Sequence, residues 1–437
     1  MSGGENPPQV SPPPSGRTPE SGDLRARERQ EGWAVPIDAV DAFTLGAAIA
    51  VAPDKIEQEL TALWRKAAER AQSTDARFTV TRACLWNFII HSNGEEEFFF
   101  TKRLIDEMSE SVPARILSLY ETSEAEKSDA SVVGDDGSPL RASVEANFRR
   151  SGTGRREVLA EEITLEAPHI EANRLSGLVR SLLLADVPTA LFVRNPATQY
   201  GWLPRLAPEA DRFIFDSRKL GSGATLQCTY NNLQKLYRSQ PAGGRPVVEI
   251  ADLGWVRLWP WRILLAGLFD PPQATQALRQ LDSIEIHHSA GEEPAALLMA
   301  GWLLERLGLG PVSQSAPGVW SLKPEGEVAQ KPAELRLVSE PAQERPVGIV
   351  GIASIELKSG EHVFSARGVA DSRSISLGSP FQPERVQPVH GRPDSELMVA
   401  VMGVGGRDPL MYEALRLGAQ LVGIQSTAGA GTGETSK

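Results

Sequence analysis

The sequence has few of the residues from which catalytic and metal centres are built. Its 437 residues include only 2 cysteines and 6 histidines. It contains no Gly-Lys-Ser/Thr, no Gly-x-Ser-x-Gly, no His-Glu-x-x-His and no Cys-x-x-Cys, which excludes the usual phosphate-loop, hydrolase and zinc motifs. The neighbours His287 and His288 would point to opposite faces of a strand, so they could not share an ion. We therefore predict no metal site, no cofactor and no catalytic residues.

Long basic runs and long apolar runs are also missing. The formal net charge of -11 comes from 56 acidic against 45 basic residues, which argues against nucleic acid and anionic membranes as partners. No stretch reaches about 18 uninterrupted apolar residues, and the region after Met1 has no secretion signal. Cys84 and Cys228 lie too far apart in sequence for the disulfide framework of a secreted protein, and the apolar flanks of Cys84 indicate a small core residue. We expect a soluble, cytoplasmic protein.

The chain is long enough for two domains, and 41% of its residues are hydrophobic. Helical and strand patterns alternate along it, which predicts two tandem α/β domains with mixed sheets, a β-rich C-terminal part and a disordered N-terminal tail at 1–36. We place the N-terminal domain at 37–240 and the C-terminal domain at 247–424. The run Ser-Gln-Pro-Ala-Gly-Gly-Arg-Pro at 239–246 would be the hinge, and 425–437 a flexible tail.

Several short segments have the pattern of strands. Apolar runs bounded by proline, asparagine or aspartate predict strands at 189–193 and 212–215, and the alternating stretches near 142–148 and 158–165 are expected to pair. Residues 347–357 and 362–369 flank Lys-Ser-Gly-Glu and predict a hairpin with a four-residue turn. The apolar run 397–401 is read as a strand leading into Gly403-Val-Gly-Gly406. Asp408 stands where a dinucleotide fingerprint needs its third glycine, so we interpret that turn as structural.

The tail gives the first testable prediction. Residues 1–36 are rich in proline, serine, glycine and charge and have no apolar periodicity, so they cannot repay the entropy of ordering. Deleting them should leave the thermal midpoint nearly unchanged in a melt followed by circular dichroism. A loss of several degrees would show instead that the segment docks on the folded body.

The segment Asp252-Leu-Gly-Trp-Val-Arg-Leu-Trp-Pro-Trp-Arg262 is the richest in aromatic residues. It places three of the nine tryptophans within seven residues and sets arginines among them. Aromatic residues and arginine form the buried anchors of protein interfaces, although aromatics fill cores equally well. Two interpretations stay open: a packed joint between domains, or a partner-binding surface. The candidate partner-binding residues are Trp255, Arg257, Trp259, Trp261 and Arg262.

A second candidate site lies where polar residues follow two predicted strands. Arg194 comes directly after the strand at 189–193, and Asp216 and Ser217 follow the strand at 212–215. Open α/β sheets bind ligands beyond the carboxyl ends of their strands, and an arginine there could hold a phosphate. Strand-end polar residues are also ordinary solubilising groups. The alternative function is therefore a sugar-phosphate-binding protein or an enzyme using these three residues.

Five segments in the same order resemble one bacterial family. They are Thr81-Arg-Ala-Cys-Leu-Trp-Asn-Phe-Ile-Ile90, Pro113-Ala-Arg-Ile-Leu117, Arg180-Ser-Leu-Leu-Leu-Ala-Asp-Val-Pro-Thr-Ala-Leu-Phe192, Asp211-Arg-Phe-Ile-Phe-Asp-Ser217 and the tryptophan segment. Together they resemble the OpcA proteins, the glucose-6-phosphate dehydrogenase assembly proteins, over roughly residues 50 to 310. The resemblance implies a chaperone-like, non-catalytic factor of carbohydrate metabolism. It would bind glucose-6-phosphate dehydrogenase as an allosteric activator, favour its active oligomer and raise NADPH production in the oxidative pentose phosphate pathway. The family offers no catalytic residue to transfer, and we do not extend the thiol regulation of some members to these cysteines.

Overall fold

The structure is a computed structural model that describes most of the chain. The residues described are 42–44, 48–74, 84–109, 111–122, 140–150, 157–168, 172–196, 203–238, 248–341, 351–370, 372–403 and 408–430. The predicted tail at 1–36 and the predicted hinge at 239–246 lie outside them. The domain boundaries placed there stay predictions.

Two sheets account for the strands of the described residues, as the sequence predicted for a mixed α/β chain. The strands of the first sheet are β1 (Ala42–Thr44), β2 (Ile49–Val51), β3 (Trp86–Asn93), β4 (Ala114–Thr122), β5 (Arg141–Arg150), β6 (Glu157–Pro168), β7 (Thr189–Val193), β8 (Arg212–Phe215) and β9 (Glu249–Asp252). The bounds of β7 and β8 are those predicted. The pairing of β5 with β6 is confirmed, with Ala142 opposite Leu165.

The first sheet has a parallel centre. Its order is β1-β5-β6-β4-β3-β7-β8-β9, with β2 also paired to β5. The six consecutive strands β6, β4, β3, β7, β8 and β9 run parallel to one another. Numbered by their order in the chain they run 3-2-1-4-5-6, the order of doubly wound folds that bind dinucleotides. The order reverses between β3 and β7, so the crevice of such a fold opens there.

The helices cover both sheets. They are α1 (Ile56–Thr74), α2 (Glu95–Ser109), α3 (Ala172–Leu182), α4 (Leu203–Leu206), α5 (Gly223–Arg238), α6 (Leu253–Arg257), α7 (Trp259–Ala266), α8 (Pro272–Ala277), α9 (Glu293–Leu307), α10 (Asp394–Gly403) and α11 (Pro409–Ala430). Helix α11 continues to Ala430, so the predicted flexible tail at 425–437 begins inside a helix. No helix in the described part of the chain is long and apolar enough to cross a membrane.

The second sheet confirms the β-rich character of the C-terminal part. Its strands are β10 (Ser283–Ser289), β11 (Leu309–Ala316), β12 (Val319–Pro324), β13 (Ala333–Glu340), β14 (Ile352–Ser359), β15 (His362–Gly368), β16 (Ser374–Ser379) and β17 (Gln382–Pro388). Their order is β11-β12-β13-β10-β14-β15-β16-β17, and only the pair β10 and β13 is parallel. The sheet is therefore mixed, as expected.

The predicted hairpin exists, but its turn is tighter than expected. Strand β14 extends to Ser359, which pairs with His362, so two residues rather than four form the turn. Gly360 has a φ of +60°, in the left-handed region that glycine enters at no steric cost. This freedom lets the strands continue closer to the turn than the polar run Lys-Ser-Gly-Glu suggested.

The prediction of a strand at 397–401 was wrong. These residues lie in α10, which packs against α2 and α6. Leu397, Met398, Val401 and Met402 join one buried cluster with residues of β3 and α2. A five-residue apolar run has no period that separates a strand from a buried helix, and leucine and methionine favour helices. Gly403 ends this helix, and the glycines at 405 and 406 lie outside the described residues.

Helices from the end of the chain connect the two sheets. Helix α10 covers one face of the first sheet, while α11 packs against both α9 and α5. Strand β9, which follows the predicted hinge, is the last strand of the first sheet. The segment from β9 to α7 therefore lies where both halves of the sequence meet.

Candidate functional site

The tryptophan segment folds as a strand end followed by two short helices. Asp252 ends β9 and caps α6: its carboxylate accepts hydrogen bonds from the backbone N–H groups of Gly254 at 2.9 Å and Trp255 at 3.1 Å. It also accepts one from Ser217 N at 2.8 Å. Burial raises the pKa of Asp252 to about 6, although the Ser217 N–H opposes the shift. Gly254 is required here, because a Cβ would lie 1.9 Å from the Ser217 hydroxyl oxygen.

Helix geometry sorts the three tryptophans into two environments. Pro260 occupies the first turn of α7, where its missing N–H costs no hydrogen bond. Trp255 is 3% exposed and Trp261 is 1% exposed, whereas Trp259 is 58% exposed. Ile263, one turn after Trp259, is 54% exposed. Two of the rings are therefore buried and one is on the surface, and partner binding by this segment stays a prediction. We call Trp259 and Ile263 the α7 patch.

Arg262 lies beneath the patch. Its guanidinium carbon is 3.4 Å from the ring centroid of Trp255 and 5.6 Å from that of Trp259. Nη2 donates to the Trp255 carbonyl at 3.1 Å, while Nε is buried without a protein partner. Burial lowers the pKa of Arg262 to about 10. Among the described residues the arginine has no salt bridge: aromatic faces contact its charge, and Asp408 and Asp252 attract it only from a distance.

Trp255 and Arg257 connect the segment to the last two helices. Trp255 Nε1 donates to Asp408 Oδ2 at 2.7 Å. Arg257 is bidentate to Asp216, at 2.5 and 3.1 Å, and its Nη2 also donates to Asp394 at 2.7 Å. Burial would raise the pKa of Asp394, but Arg257 outweighs it and lowers that pKa. Arg257 therefore joins β8, α6 and α10 from inside the protein.

The second candidate site lies at the carboxyl edge of the first sheet. Phe192 pairs with Ile214, so Arg194 and Asp216 follow neighbouring strands at the same level. The structure brings these residues to the same edge of the sheet. Asp216, however, forms an ion pair with Arg257, and Ser217 packs against Gly254. Arg194 differs from both. Its guanidinium carbon is 4.1 Å from the Phe100 ring centroid, and its Nε is buried without a hydrogen-bond partner.

The histidine pair and the cysteines do not form a site together. His287 hydrogen-bonds Glu340 at 2.8 Å and Glu285 at 2.6 Å, while His288 is buried and contacts the Ser289 carbonyl at 3.0 Å. The two rings thus lie on different sides of β10, as strand alternation predicts. Neither cysteine forms a disulfide and both are partly exposed, so the interpretation of Cys84 as a core residue was wrong. The strand that follows it starts only at residue 86, which leaves Cys84 at the rim of the sheet.

Two family models match the chain. One, described as the glucose-6-phosphate dehydrogenase subunit N-terminal domain of OpcA type, covers residues 105–230. The other, the corresponding C-terminal domain, covers residues 248–415 and contains the whole α7 patch. The chain belongs to the OpcA family. The boundary between the two matched regions falls just before β9.

Named relatives share the OpcA designation. The chain is 28% identical over 328 residues to the OxPP cycle protein OpcA of Synechocystis, which covers 72% of this chain and 64% of the relative. It is 30% identical over 217 residues to the OpcA of Nostoc punctiforme, covering 48% of this chain and 41% of that protein. The matches thus span less than two thirds of the length of these relatives.

Solved structures give a looser likeness. An aldose-aldose oxidoreductase from Caulobacter crescentus superposes with a TM-score of 0.40 at 13% identity, over 80% of this chain and 98% of that enzyme. The strand orders of the two sheets, rather than this likeness, define the fold of the OpcA-family chain.

Ile263, one of the two residues of the α7 patch, is not among the candidate partner-binding residues predicted from the sequence. Ile263 lies four positions after Trp259, the spacing that brings two side chains onto one helix face. Once Pro260 marks the start of a helix, that spacing could have found it. Trp261, two positions after Trp259, lies about 200° around the helix and faces the core, since each residue turns by about 100°.

Proposed function

We propose that this protein is a non-catalytic, cytoplasmic partner of glucose-6-phosphate dehydrogenase that promotes the active oligomer of that enzyme. Membership of the OpcA family supports the choice of partner. The observation that supports a contact surface for the dehydrogenase is the α7 patch. It consists of a tryptophan and an isoleucine, both more than half exposed, on adjacent turns above a buried arginine. A large exposed aromatic residue beside an arginine has the composition of an interface hot spot.

The proposed mechanism is a shift of equilibrium. A protein that binds the active oligomer better than the inactive form stabilises it by the difference in affinity. A tenfold preference corresponds to about 1.4 kcal/mol, enough to change the populations when the two forms are nearly balanced. Higher NADPH production in the oxidative pentose phosphate pathway would follow from the larger active fraction. The chain itself need perform no chemical step.

The carboxyl edge of the first sheet supports a non-catalytic role. In folds of this strand order, a glycine-rich turn after the first strand holds the cofactor pyrophosphate at a helix N-terminus. Here the turn after β3 runs into Glu95, Glu96 and Glu97, which occupy the first turn of α2. Three carboxylates at that position repel a pyrophosphate. The first sheet thus has the strand order of a dinucleotide-binding fold, but the turn after β3 lacks the groups that hold a pyrophosphate.

Activation of the dehydrogenase tests the proposal. The purified protein alone should not reduce NADP with glucose 6-phosphate, but it should raise the rate when added to its cognate dehydrogenase. The effect should be largest at dilutions where the enzyme oligomer dissociates, because there the equilibrium has most room to shift. Absorbance at the NADPH band measures the rate, and analytical ultracentrifugation measures the oligomer. An unchanged rate and an unchanged oligomer over a wide concentration range would exclude the assembly role.

A further inference from the structure

Three cations lie around the carboxyl edge of the first sheet without acidic partners. Arg194 follows β7, Lys219 lies in the short 3-10 turn after β8, and Arg103 projects from α2. The guanidinium carbons of Arg194 and Arg103 are 4.1 and 6.0 Å from the centroid of the same Phe100 ring. Among the described residues none of the three has a salt bridge. We call Arg103, Arg194 and Lys219 the edge cations.

The nearby acids are already engaged elsewhere. Asp216 is bidentate to the buried Arg257, and Asp394 accepts from the same arginine. Arg218, the neighbour of Lys219, is paired with Glu292 at 2.9 Å. Asp216 and Asp394 attract Lys219 from a distance, but no salt bridge of the described residues neutralises any of the edge cations. An arrangement of like charges costs free energy unless an anion joins it.

Two further observations favour an anion at this place. The Arg194 Nε is buried and has no acceptor, a state that is rare for a buried polar atom and requires an explanation. Burial and the charge of Arg194 together lower the pKa of Lys219 below its usual value, although Asp216 opposes the change. An anion between the two cations would supply the acceptor for Nε and relieve the repulsion. Both observations concern the same place on the fold.

The strand order of the first sheet indicates where such an anion would lie. The strand order reverses between β3 and β7, and ligands of open α/β sheets bind in the crevice beyond the strand ends at that point. On the β3 side of this crevice, Glu95, Glu96 and Glu97 exclude phosphate. On the β7 side, Arg194 and Lys219 attract it. The charges of the crevice therefore favour one anionic group on the β7 side over a pyrophosphate that crosses it.

We infer that the edge cations bind the phosphate group of a small phosphate monoester. A guanidinium matches phosphate with two parallel hydrogen bonds, and a lysine ammonium adds a point charge. The Arg194 guanidinium packs against the Phe100 ring, and a side chain that is already packed loses less entropy on binding. The edge cations lie outside the α7 patch, and the ligand class differs from the dinucleotides that this strand order usually holds.

Direct titration of the full chain tests the inference without the dehydrogenase. Isothermal titration calorimetry would use glucose 6-phosphate and inorganic phosphate as probes, with glucose and NADP as comparisons. Glucose 6-phosphate should bind, phosphate should compete with it, and glucose should not bind. Binding of NADP more tightly than glucose 6-phosphate would overturn the monoester assignment. Absence of binding for both phosphates up to about 10 mM, beyond the range of useful affinities, would overturn the site itself.

Two variants locate the binding. Arg194→Gln and Lys219→Gln should each weaken glucose 6-phosphate binding about tenfold or more, the loss of one charged hydrogen-bonding partner. Arg367→Gln, an exposed arginine on β15 in the second sheet, is the matched control and should bind as wild type. Lys219 is exposed as a residue and only its ammonium group is partly desolvated, so its variant should fold normally even if Arg194→Gln does not. Unchanged binding in Lys219→Gln, or an equal loss in Arg367→Gln, would contradict the placement.

Discussion

Trp259→Ala should weaken binding to glucose-6-phosphate dehydrogenase by about 2 kcal/mol or more, while changing the free energy of unfolding by less than about 1 kcal/mol. The ring is 58% exposed, so its removal opens little or no cavity. Trp261→Ala should instead lower the free energy of unfolding strongly. That ring is 1% exposed, and truncating it should cost about 3 to 5 kcal/mol of folding stability. The two residues are separated only by Pro260.

Urea unfolding and a binding titration with the dehydrogenase measure the two effects separately. Ile263→Ala, on the same face as Trp259, should weaken binding in the same direction with little change in stability, because both side chains would contact the partner. Val386→Ala serves as the control: it is a 57% exposed apolar residue on β17, outside the patch. If Trp259→Ala and Ile263→Ala both bind and activate as wild type does, the contact surface lies elsewhere and the α7 patch has another role.

Local parts of the fold were predictable because their determinants are close in sequence. Strands β7 and β8 are short apolar runs with Pro188 before one and Asp211 before the other, and their predicted bounds match the structure. The hairpin of β14 and β15 was likewise found from its Gly360 turn. Where a local pattern was ambiguous, prediction failed: the run 397–401 suits a strand or a helix, and only its contacts with α2 and α6 decide.

The candidate sites depended on contacts that no local pattern contains. Asp394 lies 137 residues from Arg257, and Asp408 lies 153 residues from Trp255. The sequence indicated polar residues at the ends of β7 and β8. It could not indicate that Asp216 would pair with Arg257, or that Arg194 Nε would have no acceptor in the protein. Nor could it show that strands separated by long segments adopt the order of a dinucleotide-binding fold. Those facts follow from packing between distant elements.

Arg257→Ala should lower the free energy of unfolding by about 3 to 5 kcal/mol, because it leaves the buried carboxylate of Asp216 without a counter-ion. Both side chains are buried, at 5% and 1% exposure, and the arginine also holds Asp394 at the start of α10. Exposed ion pairs are worth far less. Arg367→Ala removes the partner of Glu356 on the open surface of β14 and β15 and should cost about 1 kcal/mol or less.

A double variant identifies the cause of that loss. If an uncompensated buried charge is responsible, neutralising it with Asp216→Asn in the Arg257→Ala background should recover part of the stability, so the two effects would not add. Asparagine keeps an oxygen that can accept from Arg218 N, as Asp216 does at 3.2 Å. Urea unfolding of wild type, both single variants and the double variant gives the coupling energy. Additive losses, or a loss in Arg257→Ala no larger than in Arg367→Ala, would show that the bidentate pair does not hold α6 and α10 to the first sheet.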